Sequence, residues 1–255
     1  MADRNFDPLV ERFSERIYRS LKGRIRLAVI WRDIEEWLQA GSGRESLQVL
    51  DAGCGLAQTA LRLAAAGHRV VCNDVSANML ERAQELAPPE SGGRIEWREG
   101  CYSGLLGDKS YDLLLAHALI EWLEQPLQLV EHAHALLHHD GCLSLCFYNT
   151  DGRVYRNLIR GNFDWLDAVD EYQHDGGSLT PNFALAPRDV ISAFENHGFE
   201  VLGHSGVRVF NDYVVERRGG LADEEQVIAR ELQYSRQFPF LWLGRYQHVM
   251  LRKTG

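Results

Sequence analysis

The stretch VLDAGCGLAQTA, residues 49–60, decides the fold. Val49 and Leu50 lead as a strand into Asp51, the chain turns through Gly53 and Gly55, and a helix-forming run follows. Glycine tolerates a sharp turn after a strand and lets backbone approach a ligand at the carboxyl edge of a sheet. About twenty residues on, RVVCND (69–74) reads as a second strand ending in Asp74, where a carboxylate can accept both hydroxyls of a ribose. A lone glycine turn is a common structural feature. Strand, turn, helix and distal carboxylate in register point instead to a nucleotide-type ligand.

Outward from this motif, strands and helices alternate. Residues 56–66 read as a helix ended by Gly67, and 76–87 as a second helix ended at Pro88-Pro89. RIEWREG (94–100), YDLLLAHA (111–118) and GCLSLCFYN (141–149) read as the third, fourth and fifth strands, with a helix over about 126–138 between the last two. RIEWREG is polar enough for a place near the sheet edge. Such alternation implies a parallel sheet covered on both faces. Before the motif, residues 9–40 carry helical periodicity, stopped at Gly41-Ser42-Gly43. After it, 150–186 is polar, aromatic and irregular, as expected of an insertion over the ligand face. A helix (187–197), FEVLGHSGVRVF (199–210), a helix near 222–236 and GRYQHVMLRK (244–253) close the chain. The two late strands suggest an antiparallel pair at the sheet edge.

The ligand is a dinucleotide or S-adenosylmethionine. A dinucleotide site wants a small residue at the sixth motif position, where pyrophosphate meets the helix N-terminus. Here that position is Gln58. S-adenosylmethionine has no pyrophosphate, and Asp51 suits a cationic sulfonium better than a phosphate. Three further positions fit it. The third strand ends near Cys101-Tyr102, where an adenine edge would lie. The fourth ends at His117, near the methionine part, although this histidine has an alternative reading as a satisfied core residue. Arg26, one of many arginines, can clamp the methionine carboxylate in a guanidinium fork.

Composition sets bounds. The chain has 255 residues, 45% hydrophobic and 25% charged, ordinary globular values. No run approaches the ~18 apolar residues of a membrane span, and the charged N-terminus is unlike a secretory signal. We therefore expect a cytoplasmic protein with no membrane partner. Five cysteines without a C-x-x-C pair read as reduced thiols, mostly buried. Net charge is −9, which argues against a broad nucleic-acid surface. The charge is uneven, however. Residues 1–32 carry Arg4, Arg12, Arg16, Arg19, Lys22, Arg24, Arg26 and Arg32 against Asp3, Asp7, Glu11 and Glu15, a local +4.

The chain as a whole carries a more specific likeness. DRNFD (3–7), KGRIRLAVIW (22–31), VLDAGCGLAQTA (49–60), HALIEWL (117–123), LSLCFYN (143–149), GNFD (161–164), GVRVFNDY (206–213) and LGRYQHV (243–249) resemble the bacterial tRNA 5-carboxymethoxyuridine methyltransferases. GNFD, GVRVFNDY and LGRYQHV lie outside the glycine-loop core and are the specific part. The resemblance implies an α/β, Rossmann-like class I methyltransferase fold. This is a mostly parallel seven-stranded sheet with helices on both faces, N-terminal helices and an insertion after strand five. As one domain, 1–255 would divide into an N-terminal helical cap (1–43), a cofactor-binding core (44–149), an insertion over the substrate face (150–186) and a part completing the sheet (187–255). The resemblance also implies methylation of the carboxylate of 5-carboxymethoxyuridine at the tRNA wobble position, giving the methyl ester. The cofactor would be S-adenosylmethionine, contacted by Arg26, Gly53, Cys54, Gly55, Asp74, Cys101, Tyr102 and His117. The partner would be the tRNA anticodon stem-loop, not DNA. Cysteine stands at 54 where the family can carry glycine, which leaves a backbone contact intact, and Tyr102 is bulkier than the small residue expected there.

The chemistry then asks for little beyond positioning. A carboxylate with a pKa near ~4 is ionised at neutral pH, so no general base is required. Donors must replace the water it loses. Candidates are Tyr148, Asn149, Arg208, Arg245 and Tyr246, each with a structural alternative. Arg153, Arg156 and Arg160 share a helix face and form a candidate phosphate stripe or a solvated face. Phe163, Trp165, Tyr172 and Phe183 could stack on splayed bases or anchor the insertion. His132, His134, His138 and His139 cluster on the helix before strand five, but no Cys or carboxylate completes a metal set, and none is expected. Two competing readings are a small-molecule carboxyl or hydroxyl methyltransferase and a noncatalytic S-adenosylmethionine-binding partner subunit.

Overall fold

Side chains alternate along β4 (Tyr111–His117), and that alternation divides the core: Leu113 and Leu115 face one layer, Leu114 and Ala116 the other. The same division runs through β1 (Gln48–Ala52) and β5 (Leu137–Tyr148). The computed structural model describes residues 20–41, 45–91, 93–107, 110–167, 184–214 and 223–255. With β2 (Arg69–Asp74), β3 (Ile95–Glu99), β6 (Phe199–Val207) and β7 (Tyr246–Lys253), these strands form one seven-stranded sheet in the order β3-β2-β1-β4-β5-β7-β6. Strands β1 to β5 pair in parallel, and β7 runs antiparallel to both β5 and β6. The edge position of β3 and the late antiparallel pair match the sequence reading.

Helices α1 (Leu21–Gly41), α2 (Gln58–Ala65) and α3 (Ala77–Leu86) send Ile30, Ile34, Leu63 and Leu80 into one layer. Helices α4 (Gln128–Leu136) and α7 (Pro187–Glu195) fill the other with Leu129, Ala133, Val190 and Phe194. Right-handed crossovers place the helices this way because the chain runs from β1 to β3 at one edge and then returns to lay β4 on the other side of β1.

Three readings need correction. The helix expected to reach residue 138 ends at Leu136, because Leu137 is already extended and pairs with Tyr111. His138 and His139 therefore lie on β5, and only His132 and His134 share the helix. The segment after β5 is not irregular at its start. Asn149 caps α5 (Thr150–Leu158), and α6 (Phe163–Asp167) follows. Gly152 hides α5 from a propensity reading, yet the position needs it: a Cβ there would stand 2.5 Å from the Gly244 carbonyl oxygen. Two more helices, α8 (Glu224–Tyr234) and the short α9 (Phe240–Leu243), precede β7, and sequence pattern shows only the first. The basic residues up to Arg19 lie outside the described residues.

Candidate active site

The turn after β1 builds one wall of a cavity at the carboxyl edge of the sheet. Gly53 and Gly55 take φ of +66° and +53°, a left-handed geometry that glycine accepts without strain. Cys54 is held between them by its backbone N–H, which donates to the Asn73 carbonyl at 2.9 Å. Arg26 and Ile30 of α1, Asp51, Gly53, Cys54 and His117 line this cavity. The sequence-selected Arg26, glycine turn and His117 thus come together, although α1 and β4 are far apart in the chain.

Asp74 stands at the end of β2. Its Oδ2 accepts from the Gly55 N–H at 2.8 Å and its Oδ1 from the Ser76 N–H at 2.9 Å. A carboxylate oxygen can accept more than one hydrogen bond. Beside it, Asp51 is buried, and burial together with the Asp74 charge pushes its carboxyl up to about 8. Two carboxylates crowded at one edge favour a cationic ligand there.

The 101–102 corner behaves differently from its expectation. Tyr102 packs into the layer under α4, and its hydroxyl lies 3.0 Å from His132 Nδ1. Its side chain is a core group, while Cys101 is exposed.

His117 is kept well below the ordinary imidazole range, mainly by burial, with the Arg26 charge adding to it. Its Nε2 lies 2.9 Å from Ser144 Oγ. Of the other histidines, His132 bonds Tyr102, and His134 Nε2 lies 2.7 Å from the Gly255 carbonyl oxygen. Among the described residues no group of three or more His, Cys, Asp or Glu is arranged to hold a metal. Cys54, Cys72, Cys142 and Cys146 are buried free thiols.

Within electrostatic reach of Arg26, the end of β5 and the start of β7 carry a nest of donors. The Arg245 guanidinium lies 4.6 Å from the Tyr148 ring centroid and that of Arg208 5.2 Å from the Tyr246 ring. Asp212 anchors both arginines, with Arg208 Nη2 at 3.4 Å and Arg245 Nε at 3.9 Å from its Oδ2. The Tyr148 hydroxyl, Arg208 Nε, Arg245 Nη1 and Arg156 Nε are buried without hydrogen-bond partners among the described residues. Burial raises the Tyr148 phenol, and the charges of Arg245, Arg153, Arg156 and Arg208 act in the opposite direction. Burial lowers Arg156, as do Arg245 and Arg160. Unfilled donors and crowded positive charge make a receptor for an anion.

Asn149 does not belong to that receptor. It is fully buried; its amide donates to the Trp242 and Gly244 carbonyls at 2.8 and 2.7 Å, and its oxygen accepts from the Asp151 N–H. It holds the loop before β7 against α5. Arg153 and Arg156 lie on α5 and are half-buried, but α5 ends at Leu158, so Arg160 stands in the turn beyond it, exposed, and the three do not share one helix face as expected. Phe163 is exposed. Tyr172, Phe183 and the Trp165 side chain lie outside the described residues. Glu121 is the group sequence reasoning missed. It is wholly enclosed just after β4, and nothing in HALIEWL separates it from a surface carboxylate.

The fold and the glycine-turn site define a class I methyltransferase domain, and a family model described as "Methyltransferase domain" matches residues 50–145. Over the full length, the chain is 37% identical to the tRNA 5-carboxymethoxyuridine methyltransferase of Escherichia coli (strain K12), covering 99% of this chain and 97% of that one. The chain belongs to the tRNA 5-carboxymethoxyuridine methyltransferase family. A ubiquinone biosynthesis O-methyltransferase of Actinobacillus pleuropneumoniae is 27% identical, over 48% of this chain and 55% of that one. Among solved structures, magnesium protoporphyrin IX methyltransferase from Synechocystis PCC 6803, with bound SAH, shares the fold at a TM-score of 0.62. It is 16% identical, over 97% of this chain and 95% of that one.

Proposed function

We propose that the chain methylates the carboxylate of 5-carboxymethoxyuridine at the wobble position of tRNA, giving the methyl ester. The methyl donor is S-adenosylmethionine, and the partner is the anticodon stem-loop rather than DNA. The observation that carries this reading, within the family assignment, is the unfilled Arg–Tyr nest, whose Tyr246 feels the charges of both Arg208 and the cavity's Arg26.

The residues present fit the cofactor. Arg26 would hold the methionine carboxylate, Asp74 the ribose hydroxyls, and the 53–55 turn and 101–102 corner would contribute backbone. Asp51 would face the positive end. When bound, S-adenosylmethionine supplies a methyl group on a positive sulfur; the bond from carboxylate oxygen to that carbon forms as the sulfur–carbon bond breaks, leaving a neutral thioether. The protein's task is alignment and exclusion of water. Arg208 and Arg245 would receive the substrate carboxylate, with Tyr148 and Tyr246 beside them. Asp212 already draws on both guanidinium charges. A shared guanidinium binds an anion less tightly than a free one, which limits stabilisation of the ground state. No side chain need remove a proton. Such an enzyme would work in the cytoplasm, and among the described residues no helix is long and apolar enough to cross a membrane.

The test is a reaction of purified protein with S-adenosylmethionine and tRNA that carries 5-carboxymethoxyuridine, read by nucleoside mass spectrometry. Conversion to the methyl ester is expected. Absence of ester with this tRNA, while a free carboxylic acid or phenol is methylated, refutes the reading.

A further inference from the structure

A row of polar groups crosses the layer between the sheet and α1. It runs from His117 Nε2 to Ser144 Oγ at 2.9 Å, from Ser144 Oγ to His248 Nε2 at 2.8 Å, and from His248 Nδ1 to Asp33 Oδ2 at 2.7 Å. Ser144, His248 and Asp33 are buried. Their neighbours on that face are Leu113, Leu115, Cys142, Val207 and Met250, a setting in which polar groups are costly unless fully bonded. Packing does not require such a row.

The row has a direction, set from its far end. Asp33 Oδ1 accepts from Arg32 Nε at 3.0 Å, Arg32 Nη2 at 2.7 Å and Arg236 Nη2 at 2.5 Å. A carboxylate under two guanidinium groups is ionised and offers only acceptors. His248 Nδ1–H must therefore donate to Asp33. Two guanidinium groups already outweigh that carboxylate, so a third, wholly buried cation is disfavoured and the neutral ring keeps its lone pair on Nε2. Ser144 donates its hydroxyl proton to that lone pair. Its oxygen is then free to accept, so the hydrogen of His117 sits on Nε2. His117 Nδ1 is left as a lone pair, with no hydrogen-bond partner among the described residues.

We propose that Asp33, His248 and Ser144 are positioning residues that hold His117 in the tautomer whose Nδ1 accepts, so that the cavity offers an acceptor to the ammonium group of the cofactor while Arg26 offers donors to its carboxylate. This rests on the assignment of the Arg26–His117 cavity to S-adenosylmethionine. Two complementary groups on opposite charges of one amino-acid end select that end and fix its orientation.

The deciding variant is Asp33→Asn. The arginines hold the Oδ1 side, so the amide oxygen takes that place and the NH2 faces His248 Nδ1. An NH2 there donates, each bond of the row reverses, and His117 Nδ1 gains the hydrogen. The change is nearly isosteric, so shape is kept while tautomer is lost. Nitrogen-15 NMR of the histidine rings in cofactor-free protein should show wild-type hydrogens on His117 Nε2 and His248 Nδ1, and the opposite nitrogens in Asp33→Asn. Calorimetry should show S-adenosylmethionine bound about ten- to a hundredfold more weakly by the variant, the size of one lost charge-assisted hydrogen bond. In a Ser144→Ala background the row is cut, so Asp33→Asn should add nothing further. A purely structural role predicts additive losses instead. The proposal is overturned by a wild-type His117 that carries its hydrogen on Nδ1, by a doubly protonated His248, or by affinity in Asp33→Asn within about twofold of wild type. The wild-type ring spectrum needs no variant, so it decides even if Asp33→Asn does not fold. If wild type shows the assigned tautomers but binds no S-adenosylmethionine, the cofactor reading falls and the tautomer assignment does not.

Discussion

Glu121 is fully enclosed, and neither carboxylate oxygen has a hydrogen-bond partner among the described residues. Burial pushes its carboxyl up to about 8; the backbone of Glu121 and Tyr148 and the Arg26 charge only partly oppose this. The folded chain therefore keeps a proton that the unfolded chain loses near the ordinary carboxyl value of ~4.3. The stability gained by keeping it is complete below that value and is lost as pH rises through about 8. Glu121→Gln mimics the protonated form at every pH. Thermal melts should thus show wild type and variant alike near pH 5, with the variant increasingly the more stable towards pH 8.5. Parallel pH dependence of the two melts would refute the shifted carboxyl. Residue type and spacing brought out the glycine turn, Asp74 and His117 because each obeys a local rule at a strand end, whereas Arg26, one of many arginines, stood out only by the carboxylate it would clamp and by the family likeness. Glu121, Asp33 and His248 obey no such rule. What marks them is the absence of water around an ionisable group, and that depends on contacts between distant segments.

At the scale of elements, the approach of α5 to the loop before β7 places Arg245 beside Tyr148. That approach is backbone on backbone. A Cβ on Gly244 would stand 2.6 Å from Val207 N, 2.7 Å from Gly206 Cα and 2.7 Å from Tyr246 O. None of these is the movable end of a side chain, so Gly244→Ala must separate β6 from β7 at their meeting point. Overpacking of this kind costs about 1–3 kcal/mol. It should lower the urea midpoint accordingly and weaken binding of the modified tRNA, while S-adenosylmethionine affinity by calorimetry stays near wild type, since the 53–55 turn is untouched. A normal tRNA affinity in a destabilised variant would separate the nest from this junction. The strands were legible in the sequence because LDA, VVCN and LLLAH are apolar runs between breakers. Helix α5 was not, since Gly152 and its polar face imitate a loop; the reason for that glycine lies on another element. The helix ending at Leu136 rather than 138 has a similar cause: pairing with Tyr111 draws Leu137 and the two histidines into β5.

Across the whole molecule, the net charge of −9 must be reconciled with an anionic partner. The local excess of basic residues near the N-terminus only partly does so. Arg24 pairs with Glu224 and Glu225, Arg32 with Asp33, and Lys22 Nζ lies 3.8 Å from Asp212. Near the nest, Arg156 and Arg160 make no ion pair among the described residues and repel one another, which leaves their charge to a phosphate backbone. Footprint and charge then set the salt dependence. Each phosphate neutralised contributes roughly 0.7–0.9 to the slope of log affinity against log salt. A confined footprint on an acidic body should give a slope worth only a few contacts, with weak binding to tRNA outside the anticodon arm. Arg160 is exposed and, unlike Arg208 and Arg245, makes no ion pair with Asp212, so Arg160→Ala removes one contact without breaking the nest's anchor. Fluorescence anisotropy between 50 and 200 mM salt, a range over which such contacts register, should show the slope reduced by about one contact and S-adenosylmethionine binding unchanged. An unaltered slope would assign Arg160 to a solvated face and move the RNA path off α5. A slope steep enough for many contacts would instead require further basic residues to line the path.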